Sequence, residues 1–218
     1  MSSTVPACLA RFFDPEGALM LGRVEGTSLQ PVRGDLFAAL RPVGAPLPLS
    51  SVTLLPPVRP ASIVVVHSNG VLRLKPSTAV IGPGAPVLMP DGVRTVEAHA
   101  CRAAVIGRTL PVGISGSLGH VLGETAMCDV VAPERAALLD GGGYDSFCPL
   151  GPWIRSGADD ELLAAVAKAS AVLTLYPGDV VAVRTGAMVV VSAGDQIRTE
   201  ITGIGVLKNP VMDGARNE

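Results

Sequence analysis

The sequence predicts a mainly β fold of the α+β class with few short helices, and three observations carry that reading. Runs rich in β-branched residues alternate with turn formers along the whole chain, whose 25 Gly and 19 Pro are spread over 218 residues without any low-complexity cluster. A single segment shows strong helical periodicity. The 48% hydrophobic content is ample for a large buried core, which excludes a disordered chain.

Taken in order, residues 11 to about 52 read as a small hairpin-rich unit, with Gly22-Arg23-Val24-Glu25-Gly26 as a strand and turn. The expected organisation is therefore a small N-terminal β unit over 1–53, a main body over 54–212 and a flexible tail over 213–218. Leu54-Leu55-Pro56-Pro57-Val58-Arg59-Pro60 is a stiff, extended link between the first two. In the body, Ile63-Val64-Val65-Val66, Ala103-Ala104-Val105-Ile106, Asp179-Val180-Val181-Ala182-Val183 and Met188-Val189-Val190-Val191 read as strands buried on both faces. Gln196-Ile197-Arg198-Thr199-Glu200-Ile201 alternates with period two, so it faces the core on one side only. The strong helix begins with acids in a first turn, Asp159-Asp160-Glu161, and then sets Leu162, Leu163, Val166, Ser170 and Leu173 on one face. Pro177-Gly178 ends it with a turn into the next strand. A weaker helix is expected over 115–121.

Charge and cysteine usage narrow the function classes. A formal charge of −2 gives no basic field for nucleic acid, and no run of 18 apolar residues could span a membrane. Met1-Ser2-Ser3-Thr4-Val5-Pro6 lacks the positive and apolar regions of a secretory leader, so a soluble cytoplasmic protein with a small-molecule substrate is expected. Cys8, Cys101, Cys128 and Cys148 form no CxxC pair and have no His at finger spacing. They read as buried free thiols.

Six segments, in order, carry a resemblance: Leu54-Leu55-Pro56-Pro57-Val58, Leu74-Lys75-Pro76-Ser77-Thr78-Ala79-Val80-Ile81-Gly82-Pro83-Gly84, Ala104-Val105-Ile106-Gly107, Phe147-Cys148-Pro149-Leu150-Gly151-Pro152, Pro177-Gly178-Asp179-Val180-Val181-Ala182 and Gly203-Ile204-Gly205-Val206-Leu207-Lys208-Asn209-Pro210-Val211. Over residues 54–212 the chain resembles the fumarylacetoacetate hydrolase family. The resemblance implies a mixed β-roll or sandwich, a homodimer, and an active site at the mouth of the roll.

The same resemblance implies a divalent metal, held by a Glu-x-Glu pair before an apolar strand and by an Asp in an Asn-Asp-Val segment. Two carboxylates two apart on a strand project from one face toward a single hard cation. In this chain those positions carry His99 and Cys101, and Asp129 alone survives, preceded by Cys128. Glu97 falls two residues early, in phase with them. The lid implied between the first core strand and the Lys-Pro landmark is missing, because His67-Ser68-Asn69-Gly70-Val71-Leu72-Arg73 is all that joins Val66 to Leu74. Gly142 stands where the family often has a Lys, and the implied Gly-Thr-Pro loop becomes Val183-Arg184-Thr185-Gly186, in which Arg184 is a new cation.

The candidate catalytic residues are accordingly His67, His99, Tyr144 and Arg184, and the candidate substrate contacts are Arg73, Cys101, Asp129 and Thr185. Asp129 is read as a cap on neighbouring backbone N–H groups, and Lys75 as a landmark residue with a buried stem and an exposed head. No metal and no cofactor is expected. The first functional reading is a repurposed enzyme, a metal-independent cyclase or isomerase in natural-product biosynthesis that holds a largely apolar substrate in a wide, lidless cavity. A second is a metal-dependent C–C hydrolase, or a decarboxylase or isomerase, acting on a dicarbonyl or 2-oxo acid, with His99, Cys101 and Asp129 as ligands. A third is a non-catalytic partner of a complete homologue.

Overall fold

The structure is a computed structural model that describes residues 7–114 and 118–214. The N-terminal part contributes β1 (Cys8–Phe13), β2 (Leu19–Glu25), β3 (Ser28–Gly34), β4 (Leu40–Pro42), β5 (Leu47–Pro48) and β6 (Thr53–Leu55). The body continues with β7 (Ile63–Val66), β8 (Leu72–Lys75), β9 (Val80–Ile81), β10 (Val87–Met89), β11 (Val96–Ile106), β12 (Val121–Val131), β13 (Cys148–Ser156), helix α1 (Asp160–Ser170), β14 (Val180–Val191), β15 (Gln196–Ile201) and β16 (Gly205–Asp213). One large mixed sheet runs in the order β4-β3-β2-β1-β13-β12-β11-β14-β7-β8, and β10-β16-β15 form a small second sheet. Most pairs are antiparallel, while β14 with β7, β9 with β13 and β10 with β16 are parallel. This is the mainly β, sandwich-like arrangement with few short helices that the sequence predicts.

The central strands are buried on both faces, which is why they read as continuous apolar runs. Cys101, Ala103 and Val105 of β11 join Ile63, Val65, Met127, Leu150 and Ala182 in one core. Ala104 and Ile106 point the other way, into a core closed by Leu162, Ala165, Val166 and Ala169 of α1. Each fully buried Val, Leu, Ile or Met side chain among them contributes about 1.5–3 kcal/mol. A third core, with Ala98, Cys128, Val130, Phe147, Ile197 and Val211, lies between the large and small sheets.

Several landmark residues hold loops. The Asp179 carboxylate accepts from the Ser62 and Tyr176 backbone N–H groups, each at 2.8 Å. Asn209 Nδ2 donates to the carbonyls of Gly82 and Ala85, also at 2.8 Å. Such bonds satisfy buried backbone groups and fix where the neighbouring strands start.

Three expectations are corrected. Met188, Val189 and Val190 are exposed, not buried on both faces, because β7 pairs with β14 only over 180–183 and leaves this end of β14 an uncovered margin. Helix α1 is capped by Asp159, whose carboxylate accepts from Leu162 N–H at 3.0 Å, but it ends at Ser170. Leu173 therefore packs from the following turn. The helix expected over 115–121 lies partly outside the described residues, and within them Leu118–His120 is a single 3-10 turn before β12.

Candidate active site

Strand register assembles the site. Ile63 lies opposite Lys75 and Val65 opposite Arg73, so in this hairpin both cations share the face of the first core, and His67 continues that phase. On the neighbouring strands His99 lies opposite Asp129 and Cys101 opposite Arg184. Alternation thus sends side chains from β8, β7, β14, β11 and β12 toward one place. Between Cys101 and His99 the pairing of β11 with β14 slips, and Gly186, at φ +81°, lets β14 bulge there. Thr185 Oγ1 donates to the Ala100 carbonyl beside the bulge at 3.4 Å.

At the centre is the fully buried carboxylate of Asp129. Lys75 Nζ donates to its Oδ1 at 2.5 Å and to the Val130 carbonyl at 2.9 Å. Arg184 donates to Oδ2 through Nη2 at 2.6 Å and Nε at 3.0 Å. Arg73 Nη1 stands 3.7 Å from the same oxygen, and it is buried without a hydrogen-bond partner. Burial alone would raise the Asp129 pKa, yet the Lys75 and Arg184 charges hold it below the usual carboxylate value. Three cations therefore surround one ionised acid.

His67 and His99 border this cluster. Desolvation, reinforced by Arg184 and Arg73, lowers the His67 pKa, and desolvation with Arg184 lowers that of His99. Both imidazoles are thus neutral at pH 7. His67 Nε2 is buried with no partner, whereas His99 Nε2 lies 3.2 Å from Glu97 Oε2. His67, Ser68 and Arg184 also line a cleft of about 420 Å³ whose far wall is Glu161 and Lys168 of α1.

Of the residues singled out from sequence, His67, Arg73, His99, Cys101, Asp129 and Arg184 are brought together, and Thr185 braces the adjoining bulge. Tyr144 is not in that group: its ring packs on Phe147, 5.4 Å between centroids, against the third core on the other face of β12. Two sequence readings are corrected. Lys75 has no exposed head, its side chain being wholly buried against Asp129. Asp129 serves side-chain cations and does not act as a backbone cap. The signal for Lys75 was its phase with Arg73 two residues before, which on a strand places both on one face.

The comparisons with known proteins agree with this architecture. Residues 59–165 and 160–212 match the family described as Fumarylacetoacetate (FAA) hydrolase C-terminal, and residues 9–57 match the one described as Rv2993c-like, N-terminal. The chain belongs to the fumarylacetoacetate hydrolase family. Protein Rv2993c of Mycobacterium tuberculosis is 30% identical over 259 residues, covering 94% of this chain and 97% of that protein. The crystal structure of 2-hydroxyhepta-2,4-diene-1,7-dioate isomerase from Mycobacterium marinum superposes with a TM-score of 0.87 at 27% identity, covering 97% of this chain and 100% of that one. Maleylpyruvate hydrolase from Sphingobium, solved with manganese(II) and pyruvate, gives 0.79 at 26% identity, covering 95% and 100%.

Within this family the chain is divergent. The lid is replaced by a tight turn, in which His67 N–H donates to the Val71 carbonyl and Gly70 N–H to that of His67, both at 2.9 Å. The residues at the family's metal positions do not fit a divalent cation. The Cys101 thiol is buried, its pKa pushed well above the ordinary value by desolvation, and it donates to the His99 carbonyl at 3.4 Å. Both oxygens of Asp129 are already taken by cationic donors. Among the described residues no three His, Cys, Asp or Glu side chains are grouped so as to hold a metal. Nor, among those residues, is any helix long and apolar enough to cross a membrane.

Proposed function

We propose that this chain is an isomerase of 2-oxo or dicarbonyl acids, moving a proton between carbons, or between carbon and oxygen, of an enolisable substrate. The observation that carries the reading is the excess of cationic donors around Asp129 beside the His67 imidazole, whose Nε2 has no hydrogen-bond partner. A largely apolar substrate would offer no anion to the part-exposed guanidinium groups of Arg73 and Arg184, so the oxo-acid reading is favoured over the apolar cyclase reading. Support also comes from the relatives, whose names specify a dioate isomerase and a maleylpyruvate hydrolase.

In this reading the substrate carboxylate lies toward Arg184 and Arg73, accepting from the Arg184 N–H groups that Asp129 does not take and from Arg73 Nη1. His67 Nε2 accepts a proton from the carbon next to the oxo group. The electron pair left behind forms the enolate, whose oxygen is stabilised by the fixed cations, and the same proton is returned at the new position. Isomerisation is favoured over hydrolysis because the tight turn after β7 leaves no lid to enclose and activate water.

The test is a spectrophotometric panel of enolisable diacids, including oxaloacetate and a 2-hydroxy-2,4-dienedioate, followed for keto–enol exchange. Turnover by the native chain, lowered about 10²- to 10⁴-fold in His67→Ala, is the expected result. Turnover of an uncharged apolar substrate with none of the diacids would overturn the reading.

A further inference from the structure

We infer that Arg184 and Arg73, with Lys75 neutralising Asp129 behind them, constitute a carboxylate-binding site that works without a divalent cation, the guanidinium of Arg184 supplying the positive charge that a metal would otherwise bring. The inference deepens the oxo-acid reading and rests on it for the choice of ligand class. It is carried by the arrangement of donors and charge, through four observations.

First, the one carboxylate at the site is already neutralised. Lys75 Nζ is 2.5 Å from Oδ1, and Arg184 Nη2 is 2.6 Å from Oδ2. An added divalent cation would have to displace one of these and would then sit among the remaining positive charges. An added anion meets attraction instead.

Second, the formal charges do not balance. Asp129 contributes one negative charge against the positive charges of Lys75, Arg184 and Arg73. Glu97, the next acid, is engaged with His99 at 3.2 Å. Lys75 and Asp129 close the fully buried charge between them, and the surplus is carried by Arg73 and Arg184, whose side chains keep 18% and 25% of their surface exposed and can meet an anion there.

Third, donors remain unspent. Arg73 Nη1 is buried without a hydrogen-bond partner, although it stands beside Asp129. A carboxylate bridging Arg73 and Arg184 would satisfy it.

Fourth, the loop facing the cations sets no side chain against them at residue 142. Gly142 lies over the cations, where a Cβ would be 3.4 Å from Lys75 Nζ and 3.6 Å from Arg73 Nη1. A larger side chain there would crowd the face on which the anion is received. The family's frequent Lys at this position is thus replaced by a buried glycine packed against Lys75 and Arg73, and the charge comes from β8 and β14 through Lys75, Arg73 and Arg184.

Oxalate is a suitable probe, since it has the shape and charge of a 2-oxo acid head in its enolate form. It would be titrated calorimetrically into the full chain after exhaustive chelation, and again with manganese added. Binding in the presence of chelator is expected, weakened at least about tenfold in Arg184→Gln and Arg73→Gln and unchanged in the exposed-site control Arg198→Gln. Arg73 makes only a long contact to Asp129, so its variant keeps the test valid should Arg184→Gln fold poorly. Manganese alone, followed by the paramagnetic signal of the free ion, is expected to remain unbound. Oxalate that binds only after manganese addition, or not at all, would overturn the inference, as would stoichiometric manganese binding abolished in Asp129→Asn. The two readings fail separately: metal-free oxalate binding with no diacid turned over removes the isomerase, while turnover that strictly requires manganese removes the metal-free site.

Discussion

Strand β12 carries two buried carboxylates five residues apart, on opposite faces, and they are partnered in opposite ways. Glu124 accepts from Arg102 Nη2 at 2.6 Å and is bonded to Arg155, while Arg102 also reaches Asp159 at 2.5 Å. Two acids there meet two arginines, and the charge closes. Asp129 faces three cations alone. The Glu124 group ties β11, β12 and β13 to the cap of α1, which is work a neutral network does well. An unclosed group spends stability on readiness for an external anion, as functional sites commonly do.

The largest expected effect tests the depth of the two centres. Asp129→Asn leaves Lys75, wholly buried, without its counter-charge and should destabilise by about 3–5 kcal/mol, read from urea unfolding. Glu124→Gln should cost less, about 1–3 kcal/mol, because Arg102 and Arg155 keep 19% and 30% of their side chains exposed and can turn to water. Equal losses would erase the distinction drawn from burial.

Removing cations should sharpen the contrast. Arg102→Gln breaks a closed network and should cost about 1–2 kcal/mol, whereas Arg73→Gln relieves like-charge crowding and should leave stability unchanged or raise it by about 0.5 kcal/mol. Comparable destabilisation by both would show that the Asp129 group is balanced after all and carries no surplus for a ligand.

How far this was legible from sequence depends on the range of the interaction. Period-two alternation over 196–201 marked β15, whose Ile197, Thr199 and Ile201 are buried, and the acids before Leu162 marked the start of α1. The lost lid was legible as missing chain length between Val66 and Leu74. Arg73, Asp129 and Arg184 were legible as site residues, but their ion pairing and the part of Lys75 were not, because Lys75 and Asp129 are 54 residues apart and Arg184 lies 55 further on, so only the pairing order β12-β11-β14-β7-β8 shows the contacts. For the same reason the exposed end of β14 escaped notice: Met188, Val189 and Val190 have a buried strand's composition, but the neighbour that would cover them stops short.

Acid titration separates the two centres again. His67 and His99 have folded pKa values below the unfolded 6.5, lowered first by desolvation and then by Arg184, with Arg73 acting also on His67. Asp129 opposes the shift at both, and Glu97 opposes it at His99. As pH falls below 6.5 the unfolded chain binds protons that the folded chain refuses, so stability should fall on the acid side of that value. Asp129, whose folded pKa is depressed, adds stability that is present above about pH 4 and lost on further acidification. Urea midpoints measured between pH 7 and 5 should therefore slope downward, with the slope reduced in His67→Asn and His99→Asn. An unaltered slope in both variants would detach the histidines from the cluster.

The smallest effect is expected where an ion pair is fully in water. Arg198 and Glu200, neighbours on the outward face of β15, approach to 2.6 Å with about half of each side chain exposed. High dielectric and side-chain entropy leave such a pair worth about 0–1 kcal/mol, so Glu200→Gln should shift the unfolding free energy by no more than about 0.5 kcal/mol. Its contact distance matches that of Arg184 with Asp129. If Glu200→Gln proved as damaging as Asp129→Asn, distance and not burial would set the worth of these pairs, and the unequal charge at Asp129 would lose its meaning as a place held for an anion.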